Sequence, residues 1–134
     1  MNNSTITSIP HYIAKSQNGW GIGMTGLEAD DGSALDHAGI IGLPMTGFKI
    51  AAKNIAKARV RNKRGKWLPY GTGFDSDLGD GTNITGIEII GSGYVYAIHI
   101  MGGQWMTGMI TSDIEGEVLA TNGATIDAIW IDKI

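Results

Sequence analysis

The feature that most constrains this chain is a period. Setting Trp20, Trp67 and Trp105 at one position brings Ile13, Val60 and Ile98 into a column seven residues upstream. Glu28, Asp75 and Asp113 fall into another column eight residues downstream. A second anchor is the isoleucine that closes the phrases Thr46-Gly-Phe-Lys-Ile50, Thr85-Gly-Ile-Glu-Ile89 and Asp127-Ala-Ile-Trp-Ile131. Gly42, Gly81 and Gly123 each stand eight residues before it, while the acid and glycine columns are separated by 14, 6 and 10 residues. Fixed ends around one variable loop define a structural repeat, whose framework positions are set by packing and whose surface loop accepts insertions. The units run over about 9–50, 56–89 and 94–131.

A unit of roughly forty residues cannot bury a face alone, so three must share one core, and 134 residues make a single domain. With 21 glycines, 3 prolines and 17% charged residues, the composition fits short strands and tight turns, and predicts an all-β fold. Tyr94-Val-Tyr-Ala-Ile-His-Ile100 is the clearest strand, and Gln17-Asn-Gly19 and Gly102-Gly103 are turn sequences just before a tryptophan. Ile84, Ile87 and Ile89 are expected to point inward. Residues 51–58, rich in alanine, predict at most one helical turn, because eight residues make a marginal helix and the repeat places Lys57 to Arg61 on a strand. Two pseudo-threefold arrangements fit. A β-trefoil is preferred because each unit reads as about four short strands with its longest loop in the middle; a three-sided β-prism is the alternative.

The net charge of -3 argues against a general nucleic-acid binder, which needs a positive field. Without cysteine there is neither a disulfide nor a thiolate metal site. The polar first eight residues have nothing to bury and are expected to fray; they lack the apolar core of a secretory signal, and no later run is long enough to cross a bilayer. The expectation is a protein with no membrane segment that reaches the outside of a cell by lysis or another route and acts at a cell surface.

The three tryptophans have two readings, as shared core or as flat platforms for sugar rings. Trp130 shares its column with Lys49 and Glu88, which predicts a solvent-facing position and a contact residue. Glu28, Asp75 and Asp113 either cap turns through backbone N–H groups or accept hydrogen bonds from sugar hydroxyls beside an aromatic ring. Threefold-related carboxylates stand too far apart for a hydrolytic pair, so no catalytic residue is assigned. Lys57, Arg59, Arg61, Lys63, Arg64 and Lys66 gather six of the ten positive charges within ten residues. Such a run is either the solvated face of a hairpin or the seat of an anionic partner, and it belongs to the middle unit alone. Asp75-Ser-Asp77 with Asp80-Gly81 does not follow calcium-loop spacing, so no metal and no cofactor is expected. His99 is on the outward phase of its strand near Trp105 and is a further binding candidate.

The stretch Arg-Val-Arg-Asn-Lys-Arg-Gly-Lys-Trp-Leu-Pro-Tyr-Gly-Thr-Gly-Phe-Asp, from Arg59 to Asp75, resembles the Trp-Leu-Pro repeats at the C-termini of endolysins and autolysins from clostridia and their phages. Unit three is similar both to that repeat and to the clostridial hydrophobic repeats that carry a repeated Gly-Trp. The match covers Trp67, Leu68, Pro69, Tyr70, Thr72, Gly73, Phe74 and Asp75 directly, whereas Met106-Thr107 and Gly21-Ile22 replace Leu-Pro in the other units. The resemblance implies attachment to a cell wall. The resulting expectation is a non-catalytic, lectin-like module for bacterial wall or other repetitive glycans, or for an anionic wall polymer. Its binding residues would be Trp20, Glu28, Trp67, Tyr70, Asp75, His99, Trp105, Asp113 and Trp130. The rival expectation is a structural or assembly protein of a phage particle or toxin complex, with homo-oligomerisation possible in either case. A small hydrolase ranks third, since no acid and base pair suggests itself.

Overall fold

A computed structural model describes residues 8–111, 117–120 and 123–134. The tail expected to fray lies outside these residues except for Ser8, and Asp113 lies outside them too. Twelve strands follow in order: β1 (His11–Ser16), β2 (Gly19–Trp20), β3 (Met24–Thr25), β4 (Glu28–Ala29), β5 (Ala38–Gly39), β6 (Gly47–Ala51), β7 (Ile55–Arg61), β8 (Gly86–Gly91), β9 (Tyr94–Ile100), β10 (Trp105–Ile110), β11 (Glu117–Ala120) and β12 (Ile126–Lys133). The described residues contain no helix, and none is therefore long and apolar enough to cross a membrane. Where alanines allowed a helical turn, β6 and β7 instead meet in a tight turn with Asn54 at φ 66.

The strands form three antiparallel sheets, none of which closes on itself. Sheet 1 holds β1 to β4 with β6, sheet 2 holds β7, β8 and β11, and sheet 3 holds β5, β9, β10 and β12. In each, the first strand of a repeat pairs with that repeat's closing strand. Ala14 lies opposite Phe48, Val60 opposite Ile87 and Ile98 opposite Ile129. This register carries Ile50, Ile89 and Ile131 inward together, and all three are buried. Ile84 and Ile87 are fully buried as well.

The register corrects one column. Ala14, not Ile13, is the partner of Val60 and Ile98, and Ile13 sits on the outer face, half-buried. The cause is a difference of one residue in the hairpin before the tryptophan. Ser16 pairs with Gly19 around two residues, whereas Asn62 closes on Lys66 and Ile100 on Gln104 around three. Because successive strand residues face opposite sides, a slip of one moves a side chain from core to surface.

Two further links join the units. Each repeat lends backbone to the sheet of another: β5 of unit one pairs with β12, Leu78 of unit two with Phe48 on β6, and β11 of unit three with β8. The lending runs in a cycle. At the entry to the closing strands, Met45 N–H donates to Ile126 O (3.0 Å), Ile126 N–H to Ile84 O (2.9 Å) and Ile84 N–H to Met45 O (2.8 Å). These equivalent residues, all buried, thus satisfy one another's backbone in a closed ring where no water could do so. The lent strands approach closely enough to demand glycine. A Cβ on Gly39 would stand 2.3 Å from Asp127 O, and one on Gly79 would stand 2.5 Å from Thr46 O. Both glycines also have positive φ, so another residue would meet clash and strain together.

The core is continuous, from Tyr12, Phe48 and Met24 through Val60, Ile87 and Ile89 to Ile98, Ile129 and Ile131. Tyr12 breaks its symmetry: its hydroxyl donates to Gly26 O at 2.6 Å and accepts the Ile131 N–H at 3.0 Å, tying sheet 1 to sheet 3. Burial pushes its phenol well above the usual tyrosine value.

Candidate binding faces of the three hairpins

With the inner side of each sheet spent on the core, chemistry is left to the outer side. There the tryptophans occupy one register position: Trp20 lies across from Lys15, Trp67 from Arg61 and Trp105 from His99. On the closing strand the same rows end at Gly47, Gly86 and Ala128. The glycines serve as floors, because a Cβ on Gly47 would stand 3.4 Å from the Trp20 ring and one on Gly86 3.2 Å from the Trp67 ring. In sheet 3 Ala128 takes the place of those glycines, and Trp105 stands 36% exposed.

Different neighbours surround each indole. On sheet 1 the Lys49 ammonium lies 4.5 Å from the Trp20 ring centre and 3.2 Å from Asp77. Phe74 stacks at a tilt on His11, 4.5 Å between ring centres. On sheet 2 the Arg59 guanidinium lies between Trp67 (4.9 Å) and Tyr70 (4.5 Å), and its Nε donates to Glu88 at 2.7 Å. The Tyr70 hydroxyl donates to the same carboxylate oxygen, and that bond holds its phenol above the usual 10.0. Lys57 sits 4.2 Å over the Tyr70 ring. On sheet 3 Trp105 meets the edges of His99 (5.1 Å) and His37 (5.6 Å). His99 Nδ1 lies 2.7 Å from Asp127, whose other oxygen accepts the Gly42 N–H at 2.7 Å.

Two hollows adjoin these faces. A groove of about 430 Å³ runs beside Tyr70, lined by Leu68, Pro69, Ser76, Asp77 and Asp80. Asp80 is held below the usual carboxylate range by hydrogen bonds from Thr82 and Asn62. An apolar cavity of about 290 Å³ is lined by Ile22, Leu35, Ile40, Ile41 and His37, the imidazole that packs on Trp105.

Of the residues expected from sequence, Trp20, Trp67, Tyr70, His99, Trp105 and Trp130 all lie on outer faces. Trp130 is half-buried, and its column partners are not free in solvent: Lys49 lies on Trp20, and Glu88 is buried under Arg59 and Tyr70. His99 is on the outward phase yet only 9% exposed. Glu28, on β4, and Asp75, after Phe74, are exposed and neither hydrogen-bonds to its repeat's tryptophan. The acids that reach the aromatic faces are instead Asp77, Glu88 and Asp127. A signal for two of them was present in the closing phrases, where Asp127 replaces the threonine of Thr46 and Thr85, and Glu88 stands against Lys49 and Trp130. Among the described residues no cluster of three histidines or acids could hold a metal. Comparison with protein-family models, curated proteins and solved structures found no match to this chain, so what its faces bind has to be argued from their own chemistry.

Proposed function

We propose that this chain is a non-catalytic, lectin-like module whose outer faces bind bacterial wall or other repetitive glycans at a cell surface. The observation that carries the reading is the repeated placement of a tryptophan beside a hydrogen-bonding side chain at one register position of three outer faces. An indole offers a flat apolar platform to the C–H face of a sugar ring, while adjacent polar groups accept and donate to its hydroxyls. Three such faces on one body favour ligands that repeat, through effective concentration. We further propose that the units form a three-sided β-prism in preference to the β-trefoil. The supporting features are the cyclic exchange of strands, the ring through Met45, Ile84 and Ile126, and sheets that stay separate.

The test is co-sedimentation with purified cell walls together with a glycan array. Trp105→Ala removes the most exposed platform and is expected to weaken binding by about tenfold or more, as for an aromatic anchor, with little change in Tm. Full-strength binding by a variant lacking all three indoles, or none by the wild type, would sink the reading.

One feature favours the rival role in an assembly. β10 is an edge strand without charge or proline, and Met106 and Met109 are 44% and 47% exposed, whereas unit two carries Pro69 at the corresponding edge. An unprotected edge can add a strand from another chain. A larger mass on size exclusion, abolished by Thr107→Pro, with no glycan retained, would favour that role.

A further inference from the structure

The three faces share a scaffold but not a charge. Register-matched outer positions of the first strands read Lys15, Arg61, His99; Ile13, Arg59, Ala97; and His11, Lys57, Val95. Sheet 2 alone places three permanent cations on alternate residues, about 7 Å apart along the strand. Glu88 is the one carboxylate that pairs with them among the described residues, leaving an excess of two positive charges from three cations and one anion. Lys63, Arg64 and Lys66 continue the field into the adjoining turn.

The arginines are also pre-oriented. Arg59 is held between two rings and by its Nε, and Arg61 is fixed by Thr85 through Nε (3.0 Å) and Nη2 (2.8 Å). The Arg59 guanidinium also hydrogen-bonds the Tyr70 hydroxyl, and neither arginine uses all five of its N–H groups in these bonds, so each can meet an anion while losing little further freedom. Immediately beside them, the groove at Tyr70 offers Asp77 and Asp80, carboxylates that accept from hydroxyl groups and repel phosphates.

We propose that the face of sheet 2 is an anion site for a phosphodiester-linked polyol or sugar polymer, with phosphates on Lys57, Arg59 and Arg61 and hydroxyls turned into the groove. This rests on the glycan-binding reading and assigns its ligand class to one face. The acidic groove and the net charge of -3 disfavour a nucleic acid, whose next phosphates would meet Asp77 and Asp80.

The experiment titrates the full chain with poly(glycerol phosphate) at about 50 and about 200 mM salt. Contacts to two or three phosphates predict a log–log salt slope of roughly −1.5 to −2, using the ~0.7 per phosphate of a flexible single strand. Lys57→Gln with Arg59→Gln is expected to lose about tenfold in affinity at the lower salt. Lys57→Gln with Arg64→Gln, which leaves Arg59 between its two rings and on Glu88, is expected to lose about threefold and guards against misfolding of the first pair. The control Lys53→Gln with Lys133→Gln removes equal charge from two exposed lysines outside the three faces and is expected to change affinity by less than about twofold. Equal losses in this pair and the sheet 2 pair would reduce the effect to bulk charge and overturn the site. Equal affinity for single-stranded DNA would also overturn it, in favour of a general polyanion surface. Binding to a neutral glycan with none to poly(glycerol phosphate) would remove the anion site and leave the glycan reading standing, while binding to neither would remove both.

Discussion

On the outer side of sheet 2 the first strand presents Lys57, Arg59 and Arg61, and the matching positions of sheet 3 hold Val95, Ala97 and His99. Across the strand the contrast continues, with Glu88 under Arg59 and Trp130 beside Ala97. Beneath the surface the two sheets agree: Val60 and Ile98, and Ile87 and Ile129, are all buried in the same register. Framework positions answer to one packing problem and therefore stay alike, whereas outer positions are free to take on different partners. Sheet 2 became a charged surface and sheet 3 an aromatic one without altering the hydrogen-bond ladder, which is made of backbone alone.

The comparison breaks first at the framework, where effects are largest. Ile87→Ala and Ile129→Ala remove equivalent buried side chains, and each is expected to cost about 2–5 kcal/mol in chemical denaturation. If one of them cost under about 1 kcal/mol, the two sheets would not share a packing role.

A smaller effect is expected where sheet 3 departs from its siblings. Asp127 stands at the position of Thr46 and Thr85, fully buried, and serves both His99 and the Gly42 N–H. Asp127→Ala leaves those donors without their acceptor, at a cost of about 1–3 kcal/mol. Asp127→Thr, which copies the other units, should recover less than half of the loss, because a hydroxyl cannot accept from both groups with the geometry of a carboxylate. Complete recovery would show that the pair with His99 adds nothing to sheet 3.

The smallest change sharpens the reading of the indole floors. Ala128→Gly should let Trp105 settle onto its strand, moving its fluorescence to shorter wavelength and reducing its accessibility to a quencher. Gly86→Ala should do the reverse for Trp67, since the new methyl would stand 3.2 Å from its ring. Both shifts are readable in variants that keep one tryptophan, and unchanged spectra in both would separate exposure from the floor residue.

Much of this was legible in the chain. The columns ending in Ile50, Ile89 and Ile131 found the closing strands, and the glycine column found three turns with positive φ at Gly42, Gly81 and Gly123. The all-β class followed from the same spacing. Three things escaped. Ile13 was misaligned because a tryptophan anchor cannot sense a hairpin shorter by one residue. Arg59 was visible as charge but not as the filling between Trp67 and Tyr70. Glu88 and Asp127 were visible only as departures within a repeated phrase.

The sequence by itself determined the period, the strand faces and the sharp turns, because each depends on neighbours a few residues apart and on side-chain type. Tertiary structure alone decided which unit lends a strand to which sheet, how Met45, Ile84 and Ile126 close their ring, and which acid meets which ring of each face. The physical reason is that strand exchange and ring closure are made by backbone N–H and C=O groups, which nearly every residue carries, so the order of side chains holds no record of their partners.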